Sequence, residues 1–268
     1  AGAVQESRVG PAPGGRAPRR SGLVNFSGLS PSEIVRVCSE RGKELGPEGT
    51  AQAYHRVSKL WADADGGVAK EELTKIQASL GQHALKSVQK MKAKHLRMIL
   101  LAHSRMGRRV EAKLLEPLAR QLLLVMPTLD GLEVANTMYA LAKIRQAPEE
   151  LVAALMQHAH KKTHSLGPRS LCNLLWAFAT LRLRPKPELM DAVRARAVQE
   201  MPSFTGQGVT NLLWAFSTLG VPPGEELLDA LRGRALEVCG TYDPQNISNT
   251  LWAFANLREG PGDELLDA

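Results

Sequence analysis

Aromatic residues make up only 4% of this chain. A core must therefore be filled by Leu, Ala, Val and Met. Such cores favour helices, because Leu and Ala lose little rotamer freedom there. Cysteine is scarce as well. Cys38, Cys172 and Cys239 are odd in number and widely spaced, which excludes a disulfide framework or a zinc signature and fits a reducing compartment. No apolar run is long enough to span a bilayer, and the greasiest stretch, Leu122 to Met126, stops at Pro127. Phosphate loops, paired-carboxylate motifs and nucleophile–base constellations are missing too. Asp63 to Glu72 echoes a calcium loop, but Val68 and Thr74 stand where that loop needs Gly and a bidentate acid. His158, His160 and His164 have no carboxylate or Cys nearby in sequence to complete a zinc site. The expectation is a protein that binds rather than catalyses, with no cofactor and no metal.

What is present begins with charge. Lys and Arg number 34 against 27 Asp and Glu, a formal +7, and a positive excess fits a polyanion partner. Residues 1–22 hold Pro11, Pro13, Pro18 and the trio Arg16, Arg19 and Arg20, with Glu6 as the single acid. That composition cannot bury a core and suits a linker or the tail of a transit segment. The chain starts without Met and stops inside a helical pattern at Asp267-Ala268, so a fragment or processed form is expected.

Self-similarity is the main signal. Asn-Leu-Leu-Trp-Ala-Phe opens at Asn173 and again at Asn211, and Asn-Thr-Leu-Trp-Ala-Phe opens at Asn249, both steps being 38 residues. Asn136 begins a related Asn-Thr-Met-Tyr-Ala-Leu 37 residues before Asn173. Looser copies start at Met98 and at Gln52, 46 residues apart, so an irregular or inserted hairpin is expected between Asp63 and Lys94. Glu150-Leu151, Glu188-Leu189, Glu226-Leu227 and Glu264-Leu265 repeat at 38 as well. Each unit thus has a helix A with the Trp motif and a helix B that starts near Pro187 or Pro223-Gly224-Glu225, where proline and acids suit free N–H groups. Leu171, Leu175, Phe178 and Leu181 follow one buried face of helix A, as do Val209, Leu213 and Phe216, and Ile247, Leu251 and Phe254. One hairpin cannot bury such a face alone, whereas stacked hairpins can.

The expected fold is all-α: a right-handed α-solenoid of stacked helix-turn-helix hairpins, about 38 residues per repeat. The expected divisions are a disordered or transit-like segment at 1–29, divergent hairpins with an insert at 30–95, and regular repeats at 96–268 cut short in the last one.

The period, the Asn-(Leu/Thr)-Leu-Trp-Ala-Phe motif of one helix and the Pro-x-x-Glu-Leu-Leu-Asp-Ala pattern of the next resemble the octotricopeptide repeat. That family is related to the heptatricopeptide-repeat proteins and to FAST-kinase-like organellar proteins that carry a C-terminal RAP domain. The resemblance is strong over 130–268 and weak over 30–130. It implies binding of single-stranded organellar RNA, mRNA or rRNA, in transcript stability, processing or translation. It also implies partner proteins of a ribonucleoprotein complex and a place in the mitochondrial matrix ahead of the chloroplast stroma. The alternatives are a protein-binding helical scaffold or a structural subunit of a mitochondrial ribosome against rRNA.

Candidate RNA contacts are polar residues that vary between repeats on one side of helix A. Counted from the motif Asn, the positions three before, zero and seven after are Glu133, Asn136 and Lys143, then Ser170, Asn173 and Thr180. The next repeats read Gly208, Asn211 and Thr218, then Asn246, Asn249 and Asn256, with Gln207 and Gln245 four before the Asn. Small and amide side chains can bond base edges. The constant Asn equally suits a bond to a backbone carbonyl of the neighbouring hairpin. Arg194 and Arg196 recur as Arg232 and Arg234 in helix B and are candidates for phosphate. Arg182, Arg184 and Lys186 in an A–B loop, and the run Lys86, Lys90, Lys92, Lys94 and Arg97, are further cations. Trp176, Trp214 and Trp252 are assigned to the core, since identical large aromatics in every repeat suit inter-repeat packing.

Overall fold

The computed structural model describes residues 24–42 and 44–267. Residues 1–23, most of the expected disordered or transit-like segment, lie outside the described residues. Phe26 is buried, so residues 24–29 already pack with the helices that follow.

Among the described residues there are thirteen α-helices and no strand. Helix α1 (Pro31–Arg41) leads. The A role falls to α2 (Pro47–Asp63), α4 (Ala93–Arg105), α6 (Gly131–Lys143), α8 (Pro168–Thr180), α10 (Gly206–Leu219) and α12 (Pro244–Leu257). Between and after them come the B helices α3 (Gly67–Ser87), α5 (Ala112–Val125), α7 (Glu149–Lys162), α9 (Pro187–Glu200), α11 (Glu225–Val238) and α13 (Asp263–Asp267). The protein is an all-α helical-repeat solenoid.

Local sequence sets the helix starts. Ser30, Asp130, Thr205 and Asp243 cap α1, α6, α10 and α12 through side-chain oxygens, which satisfies donors that the first turn leaves free. Pro opens α1, α2, α8, α9 and α12, where a missing N–H costs nothing. Gly206 opens α10 beneath Tyr242, and a Cβ there would meet that ring at 2.7 Å.

The insert expected between Asp63 and Lys94 is not an extra hairpin. It is the single helix α3, 21 residues long where α5, α7, α9 and α11 have 14. Those extra turns account for nearly all of the longer step between the origins at Gln52 and Met98.

Each A helix approaches the A helices before and after it more closely than successive B helices approach one another. A stack spaced more tightly on one side curves toward that side, so the A layer is concave. The core runs continuously between the layers, through Leu100, Leu141, Leu175, Phe178, Leu213, Phe216 and Phe254. Ile247 and Leu251, expected inside, are exposed, because no A helix follows α12 among the described residues.

The B helices hold the loops by a recurring clamp. One donor on each of α5, α7, α9 and α11 reaches the carbonyl of the extended residue ahead of its own A helix: Gln121 to Met91 at 3.0 Å, His158 to Leu129 at 3.0 Å, Arg196 to Leu166 at 2.9 Å and Arg234 to Phe204 at 2.9 Å. The residue type changes while the bond persists, because a buried carbonyl left without a donor is costly.

Candidate nucleic-acid interface

Every A helix has the same outward stripe. Its origin is the sixth residue of each helix: Gln52, Met98, Asn136, Asn173, Asn211 and Asn249. Positions −4, 0, +3 and +7 from that origin are half-buried or exposed in all six helices, while nearly everything between them is buried in α6, α8 and α10. These positions lie within about 60° on a helical wheel at 100° per residue. The remaining faces of each A helix are taken by its A neighbours and by the B layer.

This geometry sorts the expected contacts. The origin asparagines, Gln207 and Gln245, and Lys143, Thr180, Thr218 and Asn256 are all on the stripe. The position three before the origin is not. It sits on the flank of the helix, toward a neighbouring A helix, and its residues serve the fold. Ser170 is 5% exposed. Glu133 completes the cap of α6 with Asp130 and approaches Arg97 at 3.6 Å. Gly208 accepts from the Cys172 thiol at 3.4 Å, and the Asn246 N–H is held by Asp243 at 2.7 Å. Glu133, Ser170, Gly208 and Asn246 thus lie beside the stripe, with Glu133, Gly208 and Asn246 half-buried and Ser170 buried.

The aromatics straddle the border between core and stripe. Position +3 holds His55, Leu101, Tyr139, Trp176, Trp214 and Trp252. Trp176 and Trp214 pack against the core but are only half-buried, and Trp252 is 49% exposed. Tyr139 and Trp176 lie with ring centroids 5.0 Å apart, and the Lys143 ammonium sits 6.0 Å from the Trp176 ring. Constancy and bulk suggest burial, but they do not establish it. Three residues past an exposed Asn is the same helix face, and that spacing is the signal in the sequence that finds these rings.

Two amide bonds tie neighbouring A helices, one of them within the asparagine column. Asn173 donates to the Asn136 side-chain oxygen at 3.2 Å and not to a backbone carbonyl. Asn256 donates to the Ser217 carbonyl at 3.0 Å and hydroxyl at 2.8 Å.

The arginines of helix B are not mobile cations. Arg194 pairs with Asp191 at 2.6 Å and donates to the Pro222 carbonyl at 2.9 Å. Arg232, one period on, pairs with Asp229 at 3.0 Å and donates to the Gly260 carbonyl at 2.9 Å. Arg196 and Arg234 supply the loop clamp and pair with Glu200 and Glu237. All four are on the convex layer, away from the stripe, and their 38-residue repetition reflects the repeated clamps. In the basic run, Lys94 pairs with Glu48 at 2.5 Å.

The electrostatics change along the stripe. Position +7 reads Lys59, Arg105 and Lys143 in the first three A helices, then Thr180, Thr218 and Asn256 in the last three. At the N-terminal end, Lys94 and then His95 hold the Glu48 carboxyl at a pKa of about 2. His95 accepts the Lys92 N–H on Nδ1 at 3.1 Å, so its other nitrogen donates to Glu48 at 2.9 Å. Burial pushes the Cys172 thiol up to about 12 and Cys38 to about 11, which leaves both unreactive. Among the described residues no group of acids, His and Cys is arranged to hold a metal ion, and no helix is long and apolar enough to cross a membrane.

A family profile described as RNA-editing substrate-binding complex 6 protein matches residues 64–268. No curated protein matches the chain. A chain titled as a homology model of the full-length AP-3 complex in an intermediate open conformation is similar at 14% identity and a TM-score of 0.40, covering 85% of this chain and 39% of its own length.

Proposed function

This chain belongs to the RNA-editing substrate-binding complex 6 protein family, and from that premise we propose that its concave A layer binds single-stranded RNA during organellar transcript processing. The observation that carries the reading is the stripe itself. Six stacked helices each offer an outward row of side chains at fixed spacing, among them the amides Gln52, Asn136, Asn173, Asn211 and Asn249, the aromatics Tyr139, Trp176, Trp214 and Trp252 and the cations Lys59, Arg105 and Lys143. Splayed bases have edges and faces to match such a row, whereas the deep groove of an A-form duplex does not admit it.

The protein acts as a binding subunit and not as an enzyme. Its repeat is of octotricopeptide type, judged from the Asn-Leu-Leu-Trp-Ala-Phe motif and its period. Partner proteins belong to the reading too, since the family description names a complex. The convex side offers them apolar clefts, one of them lined by Ala153, Met156 and Leu189 between α7 and α9. The compartment we propose is the mitochondrial matrix.

The test is binding of fluorescent single-stranded and duplex RNA at several salt concentrations. Preference for the single strand, with affinity falling as salt rises, is the expected result. No binding at low salt would overturn the reading in favour of a protein-binding scaffold.

A further inference from the structure

The turn after each regular A helix is built on one left-handed residue, nine positions past the origin. These residues are Gly107, Arg145, Arg182, Gly220 and Arg258, with φ of 63°, 51°, 53°, 65° and 59°. The following N–H closes each turn by bonding five residues back: Arg108 to His103, Gln146 to Leu141, Leu183 to Phe178, Val221 to Phe216 and Glu259 to Phe254. This is one helix-ending turn made five times, and its left-handed position is where glycine fits without steric cost. Gly107 and Gly220 demonstrate that glycine serves. Arginine does not suit that backbone, since a Cβ crowds the next carbonyl, yet it stands there three times.

The side chains give the reason. Arg145, Arg182 and Arg258 are exposed and make no ion pair or side-chain hydrogen bond among the described residues. The acid beside Arg258, Glu259, is turned to Arg232 instead. The contrast with Arg194, Arg196, Arg232 and Arg234, all engaged by carboxylates and carbonyls, is complete. The free arginines stand two residues beyond the last stripe position of their helices, which is Lys143, Thr180 or Asn256. They line the edge of the concave face at the C-terminal ends of the A helices.

We infer that a single RNA strand follows this edge, its phosphates on Arg145, Arg182, Arg258 and Lys143 and its bases turned onto Tyr139, Trp176, Trp214 and Trp252. The inference rests on the RNA-binding reading and adds the path and the mode of recognition. Lys143 joins the two rows, because its ammonium already lies beside the Trp176 ring. Bases held by ring faces are accepted with little regard to sequence. The preferred ligand is therefore any unpaired stretch, and paired bases are refused because their faces are covered.

The turn supplies a clean test. The triple variant Arg145→Gly, Arg182→Gly, Arg258→Gly removes three cations while installing the residue two other repeats already use. Its melting temperature should stay level or rise. Binding of a labelled single-stranded oligouridylate should show a slope of log affinity against log salt shallower by about 2, at ~0.7 for each phosphate no longer neutralised. Trp214→Leu should weaken binding about ten-fold with the slope unchanged. In the unaltered chain, tryptophan fluorescence should be quenched by the oligonucleotide and not by an abasic ribose-phosphate chain of equal length; this measurement decides the stacking half even if Trp214→Leu fails to fold. An unchanged slope in the triple variant, or equal quenching by the abasic chain, overturns the proposed path. Failure of the unaltered chain to bind at all overturns the RNA reading beneath it.

Discussion

The A helices of the two halves stack in the same way but are held by different chemistry. In α2, α4 and α6 the neighbours are tied by Glu48 with Lys94 and His95, by Arg97 with Glu133, and by Arg105 with His55 at 3.0 Å. In α8, α10 and α12 the ties are small and neutral: Cys172 to the Gly208 carbonyl, Thr210 to Thr250 at 2.9 Å, and Asn256 to Ser217. The core differs at one column in particular. Five residues past the origin the later helices carry Phe178, Phe216 and Phe254, all buried. The earlier ones carry Val57, His103 and Leu141 there. His103 is buried in a place its relatives fill with a benzyl group, and Gln77 from the long helix α3 bonds it at 2.9 Å. An identical hydrocarbon repeat needs no special partner, whereas each polar replacement needs one and brings its own. Hence the repeat is plain in the second half and faint in the first.

The largest expected effect tests the hydrocarbon half. Phe216→Ala should cost about 3–5 kcal/mol in urea unfolding, as truncations of fully buried aromatics do. A loss below ~1 kcal/mol would mean that the Phe column does not carry this half. Trp214→Ala, half-buried, should cost clearly less in the same assay.

The next effect belongs to the polar half and is read by pH. Burial lowers the His103 pKa from 6.5 to about 4. The fold favours the neutral ring, so the unfolded chain takes up the proton first. Stability from this site is present above pH 6.5 and is lost as pH falls from there toward about 4, by at most about 3 kcal/mol at 1.36 kcal/mol per unit. Glu48 adds a loss at lower pH, between its usual 4.5 and about 2. Replacing His103 by Phe and Gln77 by Leu together should flatten the upper part of the curve and make the halves alike. An unaltered pH profile in that double variant would remove His103 from the account.

A smaller effect separates scaffold from surface. Arg234→Ala frees the buried Phe204 carbonyl and should cost about 1–3 kcal/mol, leaving RNA affinity and its salt slope unchanged; a shallower slope would return this arginine to the phosphates. Asn173→Ala, which breaks one partly buried bond to Asn136, should cost only about 0.5–1.5 kcal/mol. A larger loss, seen as a lower melting temperature, would show that the asparagine column locks the stack.

The sequence by itself determined the helices, their pairing and the period. Capping residues, prolines and apolar spacing act locally, and a pattern recurring every 38 residues can bury its face only by stacking on copies of itself. It also located the origin asparagines and position +7 on the exposed side. The tertiary structure decided the rest. It turned position −3 into a flank and left position +3 half-buried at the border of the stripe in all but α12, because neighbouring A helices take the sides of each helix and leave one narrow stripe. It engaged Arg194, Arg196, Arg232 and Arg234 with loop carbonyls and nearby acids, and it left Arg145, Arg182 and Arg258 free at a strained turn. A charged residue looks the same in a sequence whether a carbonyl 30 positions away holds it or nothing does, and only the folded chain brings that carbonyl within reach.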